Sequence, residues 1–239
     1  IRIDDLDTSR CKPKFTNEIL ECLHAFGLKA SGPAIFQSDR INLYQNAFDK
    51  LSESGQLYSC FCSRKHLPRG YYPGYCRTQL GQTLLDKTTV RIDSRGMQLK
   101  FYDQIQGNFH KQSTGDFVVR RRDGLFSYQF ACAVDESLDA ITAVIRGIDL
   151  MPSTLMQIWI MEKLGLTIPQ YAHHPILVDR LGVKLSKQTF AKPVNYSKPG
   201  QAYSVIAQIL QIADYPSEDA TGAIWIQFFE TDVEMDQLL

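Results

Sequence analysis

The sequence of 239 residues lacks any charge imbalance, because 26 lysines and arginines face 26 aspartates and glutamates. This balance excludes a protein coated uniformly with positive charge for nucleic acid, although it is compatible with a local basic groove. The chain also lacks an uncharged apolar run close to the roughly 20 residues that a membrane-spanning helix needs, so we expect no contact with a membrane. With 44% hydrophobic and 22% charged residues, its composition is that of a globular protein.

The start of the chain lacks a secretory signal, because it opens with Ile1-Arg2-Ile3-Asp4-Asp5 instead of a basic segment followed by an apolar one. It also lacks an initiator methionine and begins inside what reads as a strand, so we expect a fragment without its natural N-terminus. The six cysteines are too scattered for the disulfide framework of a small secreted domain. We therefore predict a protein of the reducing cytoplasm with one metal site.

Strand and helix patterns alternate along the chain, which predicts an α/β fold. Apolar residues at helical spacing predict helices over residues 15–26, 40–51, 153–164, 202–210 and 224–239. Other apolar segments predict strands over residues 1–3, 56–61, 88–92, 99–103, 116–120, 140–146 and 175–178. We expect the strand over 140–146 to be buried and Ser153 to cap the next helix, while residues 125–134 fit either a core strand or a helix.

Three cysteines predict a metal site. Cys60 and Cys62 are two residues apart, and Cys76 follows a segment rich in glycine and proline that can fold back on itself. Thiolates are preferred ligands of Zn²⁺, which takes four ligands in structural sites. The candidates for the fourth ligand are His66, Tyr71, Tyr72, Tyr75 and water, with His66 favoured on chemistry alone. The alternative is three unrelated buried thiols.

A lysine-rich segment, Lys184-Leu185-Ser186-Lys187-Gln188, follows the last predicted strand, and we call it the lysine turn. Lysine side chains beside a hydroxyl and backbone N–H groups can gather around phosphates whose charge grows during transfer. The segment therefore predicts a phosphate site, and the alternative is a solvated basic turn. Residues 120–122 are three arginines with two interpretations. They either contact the phosphates of a nucleic acid or form a surface turn with an ion pair to Asp123.

Arg146 follows an apolar run at the carboxyl end of a predicted strand. Ligands bind at this end of strands in α/β sheets, and a guanidinium pairs bidentately with carboxylates, so Arg146 is a candidate for binding an amino acid. Two further groups fit such a ligand, the hydroxyl of Tyr128 and the carboxylates of Asp4, Asp5 and Asp7. The structural alternatives are an ion pair of Arg146 with Asp135 or Asp149, a core position for Tyr128, and a helix N-cap at Asp7 or Thr8.

Taken together, five segments resemble, in order, the catalytic domains of glutamyl-tRNA synthetases, which are class I synthetases. These segments are Ile1–Asp7, Phe36–Arg40, Asp123–Tyr128, Val144–Leu150 and Lys184–Gln188. The resemblance runs from about Ile1 to Lys192 and implies a Rossmann-like nucleotide-binding domain. It divides the chain into a first Rossmann-like half at 1–59, a zinc-bearing insertion at 60–124, a second half at 125–180, and the lysine turn with a small helical region at 181–239.

Three features make the chain most similar to the short paralogous family of glutamyl-Q tRNA(Asp) synthetases. Few residues follow Gln188, which leaves little room for the anticodon-binding part of a glutamyl-tRNA synthetase. Leu150 stands where that synthetase usually carries a histidine, directly after Asp149. The cysteine cluster resembles the paralogue's zinc site, in which a tyrosine is the fourth ligand. The resemblance therefore replaces His66 and implies the ligands Cys60, Cys62, Tyr72 and Cys76.

The resemblance implies that Asp4, Tyr128 and Arg146 bind L-glutamate. Lys187 is implied as the catalytic residue that contacts ATP, with Mg²⁺ accompanying the nucleotide, and stabilises the charge developing on the phosphates. The implied reaction forms glutamyl-adenylate and transfers glutamate to the queuosine base of tRNA(Asp). We also expect Arg146, Tyr128 and the lysine turn to line one crevice.

The sequence departs from the family at two points. The family usually has glutamate at the position of Asp4, and its His-Ile-Gly-His signature is absent, so we expect that motif upstream of Ile1. Two alternatives remain open. The first alternative to the implied function is a catalytic-domain fragment of a glutamyl-tRNA synthetase that charges tRNA(Glu). The second is a non-catalytic RNA-binding module stabilised by zinc.

Overall fold

The structure is a computed structural model that describes residues 1–63, 72–112, 115–179, 181–185, 195–212 and 214–231. Strands are formed by β1 Arg2–Ile3, β2 Ile35–Phe36, β3 Leu57–Cys60, β4 Thr89–Ile92, β5 Gln98–Asp103, β6 Gly107–Gln112, β7 Phe117–Arg120, β8 Ala143–Gly147 and β9 Gln170–His174. The α-helices are α1 Pro13–Ala25, α2 Ile41–Glu53, α3 Tyr128–Leu138, α4 Met151–Leu164, α5 Pro199–Ile209 and α6 Gly222–Thr231. The chain forms two compact units, one of Ile1–Phe36 with Leu177–Leu239 and one of Gln37–Ile176.

The first unit combines the parallel pair β1–β2 with three helices, α1, α5 and α6. Its core contains Tyr203 and Trp225, whose rings stack with 5.7 Å between their centres. The Tyr203 hydroxyl donates a hydrogen bond of 2.8 Å to the carbonyl of Phe26. A Cβ atom on Gly222 would lie 2.4 Å from the carbonyl oxygen of Ala25, so only glycine allows α6 to begin this close to the end of α1.

The second unit contains two sheets. The first is antiparallel in the order β3–β4–β7, and the second has the order β6–β5–β9–β8, in which β9 is parallel to both β5 and β8. Helix α4 packs against α3 and has buried residues around most of its circumference, including Leu155, Ile158 and Ile160. An α-helix that is buried around most of its circumference is suited to a core rather than to a surface.

The α/β prediction is confirmed, and so are the helices near residues 15–26, 40–51 and 202–210. Residues 125–134 contain the start of α3, so their helical interpretation is the correct one. Among the described residues, the C-terminal region contains the helices α5 and α6, and residues 232–239 of the predicted last helix lie outside the described residues. Within the part of the chain that the structure describes, no helix combines the length and apolar character that crossing a membrane requires.

Three predicted elements need correction. The strand over 140–146 is not buried, because β8 lies at the end of its sheet and leaves Ile145 72% exposed. Ser153 does not cap a helix, because α4 already begins at Met151, with a proline in its first turn. Residues 175–178 form no strand, and the last strand among the described residues is β9, because Pro175 has no N–H to continue the ladder.

Strands from the predicted insertion at 60–124 pair with strands outside it. Strand β4 pairs with β3, and β5 pairs with β9, so these residues belong to the sheets of the second unit. The predicted boundary between 124 and 125 therefore lies inside a compact unit. The division of the chain into four segments stays a prediction.

Candidate functional site

Arg146 lies on β8 and has only 9% of its surface exposed. Its Nη2 atom donates hydrogen bonds of 2.6 Å to Thr154 Oγ1 and to Gln157 Oε1, both on α4. The guanidinium carbon lies 5.1 Å from the centre of the Tyr171 ring. The buried Nε atom has no acceptor among the described residues. An unpaired buried donor costs about 1–3 kcal/mol, so the arrangement favours a ligand that brings an acceptor.

The structure rejects the ion pair of Arg146 with Asp135. The Asp135 carboxylate is fully buried and accepts hydrogen bonds of 2.8 Å from both Arg40 Nη1 and Gln37 Nε2, with the Tyr44 hydroxyl at 2.9 Å. Within the described ranges, no carboxylate lies within ion-pair distance of Arg146. Arg146 is therefore a buried cation whose present hydrogen-bond partners are neutral.

A series of buried polar side chains connects Arg146 by hydrogen bonds to the carboxylate of Asp103. Thr154 Oγ1 lies 2.7 Å from His173 Nε2, and His173 Nδ1 lies 2.5 Å from Asp103 Oδ2. All three side chains are fully buried. Burial alone would raise the pKa of Asp103, but hydrogen bonds from the His173 ring and from backbone N–H groups lower it below its ordinary value. Asp103 is therefore ionised at neutral pH.

Tyr128 occupies the first position of α3, behind an N-cap at Ser127. The Ser127 hydroxyl accepts a hydrogen bond of 3.3 Å from the N–H of Phe130, which fixes the start of the helix. The side chain of Tyr128 is 40% exposed, so the core alternative for this residue is wrong. Tyr128 and Arg146 belong to the same compact unit.

Asp4 directly follows β1 in the other unit and is exposed. Its carboxylate accepts hydrogen bonds from Arg2, at 2.7 Å from Nε and 3.3 Å from Nη2. The alternative N-cap at Asp7 or Thr8 is wrong, because α1 begins at Pro13. The contact of Asp4 with an α-ammonium stays a prediction.

The segment that leads into the lysine turn is held by hydrogen bonds to Asp179. The Asp179 carboxylate accepts hydrogen bonds from the N–H groups of Leu181, at 2.8 Å, and Val183, at 2.9 Å. Gly182 has a φ of +75°, a conformation that glycine adopts without strain. Ser186, Lys187 and Gln188 lie outside the described residues, so the crevice shared with Arg146 stays a prediction.

The structure brings together Cys60, Cys62, Cys76 and Tyr72. The three Sγ atoms lie within 4.8 Å of one another, with 3.6 Å between Cys62 and Cys76. The Tyr72 hydroxyl lies 3.4 Å from Cys60 Sγ and 3.8 Å from Cys62 Sγ. Tetrahedral zinc with bonds of about 2.0–2.3 Å requires ligand atoms about 3.5–3.8 Å apart. The four residues therefore fit a tetrahedral metal centre, whereas His66 and Tyr71 lie outside the described residues.

Hydrogen bonds and burial shift the pKa values of the side chains in this cluster. The N–H of Cys76 donates a hydrogen bond of 2.9 Å to the Tyr72 oxygen, and Arg91 Nε donates one of 3.3 Å to Cys60 Sγ. Burial alone would raise the pKa of Cys76, but hydrogen bonds from Tyr72 and from the backbone of Phe61 lower it. Burial raises the pKa of Cys62 and of Tyr72. A bound cation would offset the cost of ionising these two groups.

A buried carboxylate fastens the cluster to the first sheet. Asp116 accepts hydrogen bonds from Arg77, at 2.6 Å and 2.8 Å, from the N–H of Ser94, at 2.9 Å, and from the Tyr58 hydroxyl. Its carbonyl also accepts a hydrogen bond of 2.9 Å from Arg91 Nη1. Because Arg91 also contacts Cys60, the position of the cluster is linked to strands β3, β4 and β7.

Beside the cluster lies an open cavity of about 430 Å³, lined in part by Arg91, Arg121 and Arg122. Arg121 forms an ion pair of 2.5 Å with Asp123. The surface-turn interpretation of residues 120–122 is therefore correct for Arg121. A phosphate contact by the neighbouring residues Arg120 and Arg122 stays a prediction.

Sequence reasoning missed Thr154 and Gln157, which accept hydrogen bonds from Arg146, and also His173 and Asp103, which continue the hydrogen-bonded chain from Thr154. A local signal is the pair Thr154 and Gln157, two polar residues that are three positions apart in a largely apolar stretch of α4 and therefore share one face. Their role depends on contacts between elements far apart in the sequence, which a local pattern does not contain.

The chain is similar to known proteins over most of its length. The sequence model described as tRNA synthetases class I (E and Q), catalytic domain, matches residues 1–71 and 80–210. A glutamyl-Q tRNA(Asp) synthetase of Pseudomonas fluorescens is 36% identical over 229 residues, which cover 93% of this chain and 75% of that protein. One of Dechloromonas aromatica is 39% identical over 212 residues, covering 83% and 70%.

Solved structures show the same fold. A glutamate tRNA ligase from Elizabethkingia meningosepticum, crystallised with its amino acid, superimposes with a TM-score of 0.74 at 24% identity. The similarity covers 95% of this chain, which spans 57% of that ligase. This likeness shows the fold, and the sequence matches show that the chain belongs to the class I tRNA synthetases for glutamate and glutamine, and within them to the glutamyl-Q tRNA(Asp) synthetase family.

Proposed function

We propose that the protein activates L-glutamate with ATP and transfers it to the queuosine base of tRNA(Asp). The names of its relatives support the substrate, and the family supports the two-step chemistry. The observation that carries the proposal is the state of Arg146, a buried cation that lacks a carboxylate partner among the described residues and whose Nε has no acceptor there. A bound carboxylate would supply both the missing charge and the missing acceptor.

Arg146 would hold the side-chain carboxylate of glutamate. The α-carboxylate must stay free, because it attacks the α-phosphorus of ATP, whose bond to the β-phosphate oxygen then breaks to release pyrophosphate. A hydroxyl of the queuosine ring next attacks the carbonyl of the mixed anhydride, and AMP leaves. Tyr128 and Asp4 would orient the amino acid, as the resemblance implies.

Lys187 would act by charge rather than by proton transfer. As the pyrophosphate leaves, negative charge accumulates on its oxygens, and an ammonium held beside them lowers the energy of that state more than the energy of bound ATP. Mg²⁺ bound with ATP would share this task. Positioning of the two substrates accounts for most of the remaining acceleration.

The acceptor experiment uses the complete protein, labelled glutamate and three purified tRNAs. We expect label on queuosine-containing tRNA(Asp), but none on tRNA(Asp) with guanosine at that position and none on tRNA(Glu). Removing the 3′-terminal adenosine from queuosine-containing tRNA(Asp) should leave its labelling intact, because the acceptor lies in the anticodon loop.

Two other outcomes would replace the proposal. Labelling of tRNA(Glu) that is lost with its terminal adenosine would identify a fragment of a glutamyl-tRNA synthetase. Binding of tRNA without any glutamate-dependent exchange of pyrophosphate into ATP would identify a non-catalytic RNA-binding module.

The four clustered side chains of Cys60, Cys62, Tyr72 and Cys76 would hold a structural Zn²⁺. Bound zinc would order a segment with few apolar residues of its own. We expect about one zinc per chain by mass spectrometry of metal content. Cys76→Ser should lose the metal and lower the melting temperature, whereas Cys22→Ser, a change outside the cluster, should alter neither. Equal zinc content in wild type and Cys76→Ser would contradict this assignment.

A further inference from the structure

We propose that Thr154, His173 and Asp103 form a positioning chain that fixes the Arg146 guanidinium for its carboxylate substrate. This inference rests on the proposed function, because it assigns the substrate contact to Arg146. It adds three residues that touch no substrate and act through Arg146 alone. It also assigns the proton on the His173 ring to Nδ1.

The hydrogen-bonded chain from Arg146 to Asp103 joins four elements of the second unit. Arg146 Nη2, on β8, donates to Thr154 Oγ1, on α4, over 2.6 Å. Thr154 Oγ1 lies 2.7 Å from Nε2 of His173, on β9. His173 Nδ1 lies 2.5 Å from Asp103 Oδ2, at the end of β5. The connected atoms therefore run from a buried cation to a buried anion without a gap.

The charge of the Asp103 carboxylate and the contact distances determine the direction of each hydrogen bond in the positioning chain. An ionised carboxylate can only accept, so His173 Nδ1 must carry the proton that points to Asp103. In a neutral ring Nε2 then has a lone pair. Two acceptors face the single hydroxyl proton of Thr154, namely His173 Nε2 at 2.7 Å and the Leu150 carbonyl at 3.2 Å, and the shorter contact assigns the proton to Nε2. The Thr154 oxygen keeps its lone pairs for Arg146. In the opposite tautomer, the lone pair of Nδ1 would face the Asp103 carboxylate inside a buried site, which is unfavourable at low dielectric.

The far end of the chain is held by backbone groups. The Asp103 carboxylate accepts hydrogen bonds from three backbone N–H groups, those of Ile105 at 3.1 Å, Gln106 at 2.9 Å and His173 at 3.1 Å. Gln106 Nε2 donates a hydrogen bond of 2.7 Å to the His173 carbonyl. In the parallel ladder, Arg146 stands directly opposite His173. Asp103 is therefore a rigid anchor rather than a mobile counter-ion.

Such an anchor affects substrate choice. A guanidinium held in one orientation can match the two oxygens of a carboxylate, whereas the amide of glutamine presents one oxygen and one NH₂ group that repels a donor. If Arg146 rotates, the matched geometry is lost while the charge remains. We therefore expect defects in this chain to weaken glutamate binding and the discrimination against glutamine, without affecting ATP.

The kinetic experiment compares Thr154→Val with Thr154→Ser in the complete protein. Valine keeps the shape of the side chain but removes its hydroxyl, while serine keeps the hydroxyl. Because a hydrogen bond to a charged group is lost, we expect Thr154→Val to raise the glutamate KM in ATP–pyrophosphate exchange about 10-fold. The ATP KM should stay within about twofold, the preference for glutamate over glutamine should fall, and Thr154→Ser should restore both.

A second experiment tests the direction of the hydrogen bonds in the positioning chain without measuring catalysis. Nitrogen-15 NMR of the histidine rings in the wild-type protein distinguishes a protonated ring nitrogen from a bare one. We expect a His173 ring with a proton on Nδ1 and none on Nε2, identified by its absence from His173→Gln. A proton on Nε2 instead of Nδ1 would overturn the proposed direction of the chain, even if every variant of Thr154 failed to fold.

The outcomes separate this inference from the proposed function. If Arg146→Lys impairs glutamate activation but Thr154→Val matches wild type in glutamate KM and in selectivity, the positioning chain is wrong and the function stands. An equal rise in the KM of glutamate and of ATP for Thr154→Val would indicate general damage and would also reject positioning. A wild-type protein without glutamate-dependent exchange would reject both proposals.

Discussion

Replacing Arg146 by lysine should lower kcat/KM for glutamate in ATP–pyrophosphate exchange by about 100-fold, although the positive charge is retained. Lysine cannot reproduce two parallel hydrogen bonds to a carboxylate, and its ammonium would also lose the contacts that Arg146 makes with Thr154 and Gln157. The measurement is the exchange rate as a function of glutamate concentration at saturating ATP.

Arg95→Lys is the matched control for this prediction. Arg95 is an exposed arginine that forms an ion pair of 2.7 Å with Asp93, so its replacement should leave the exchange rate unchanged. A glutamate dependence of Arg146→Lys equal to that of wild type would show that the buried guanidinium does not bind the substrate.

Replacing Lys187 by alanine should reduce the rate of glutamyl-adenylate formation by about 1000-fold while glutamate binding changes little. The expected size is that of removing one group that stabilises charge only in the transition state, where losses of about 10²–10³ are typical. The rate is measured by pyrophosphate exchange, and glutamate binding is measured by calorimetry.

Lys50→Ala provides the comparison, because Lys50 is an exposed lysine on α2. It should exchange pyrophosphate at the wild-type rate. Near-normal exchange by Lys187→Ala would refute the assignment of this lysine to the phosphates. A parallel loss of glutamate binding would instead show that Lys187 holds the fold of the turn.

The elements that sequence reasoning predicted well are those whose signal is local. Helices α1, α2 and α5 follow from apolar spacing and from glycine or proline at their ends. The cysteine cluster is also a short-range feature, because the resemblance places Tyr72 four residues before Cys76 and the structure brings the two together. Such features need no knowledge of how distant segments pair.

The misplaced helix caps are errors of a few residues, whereas the buried strand and the missed residues depend on the sheet. The apolar residues 143–145 suggested a buried strand, but the position of β8 at the end of its sheet decides that Ile145 is exposed. The chain behind Arg146 depends on Asp103 and His173, which are 70 residues apart in sequence and meet through the pairing of β5 with β9. Neither fact can be inferred from the spacing of residues within one segment.

The most direct test of the central claim is a crystal structure of the complete protein with glutamate bound. We predict the side-chain carboxylate of glutamate within about 3 Å of the Arg146 guanidinium, with Thr154 still bonded to the arginine. Glutamate bound elsewhere, with the Arg146 guanidinium contacting only Thr154 and Gln157 as it does now, would contradict the account.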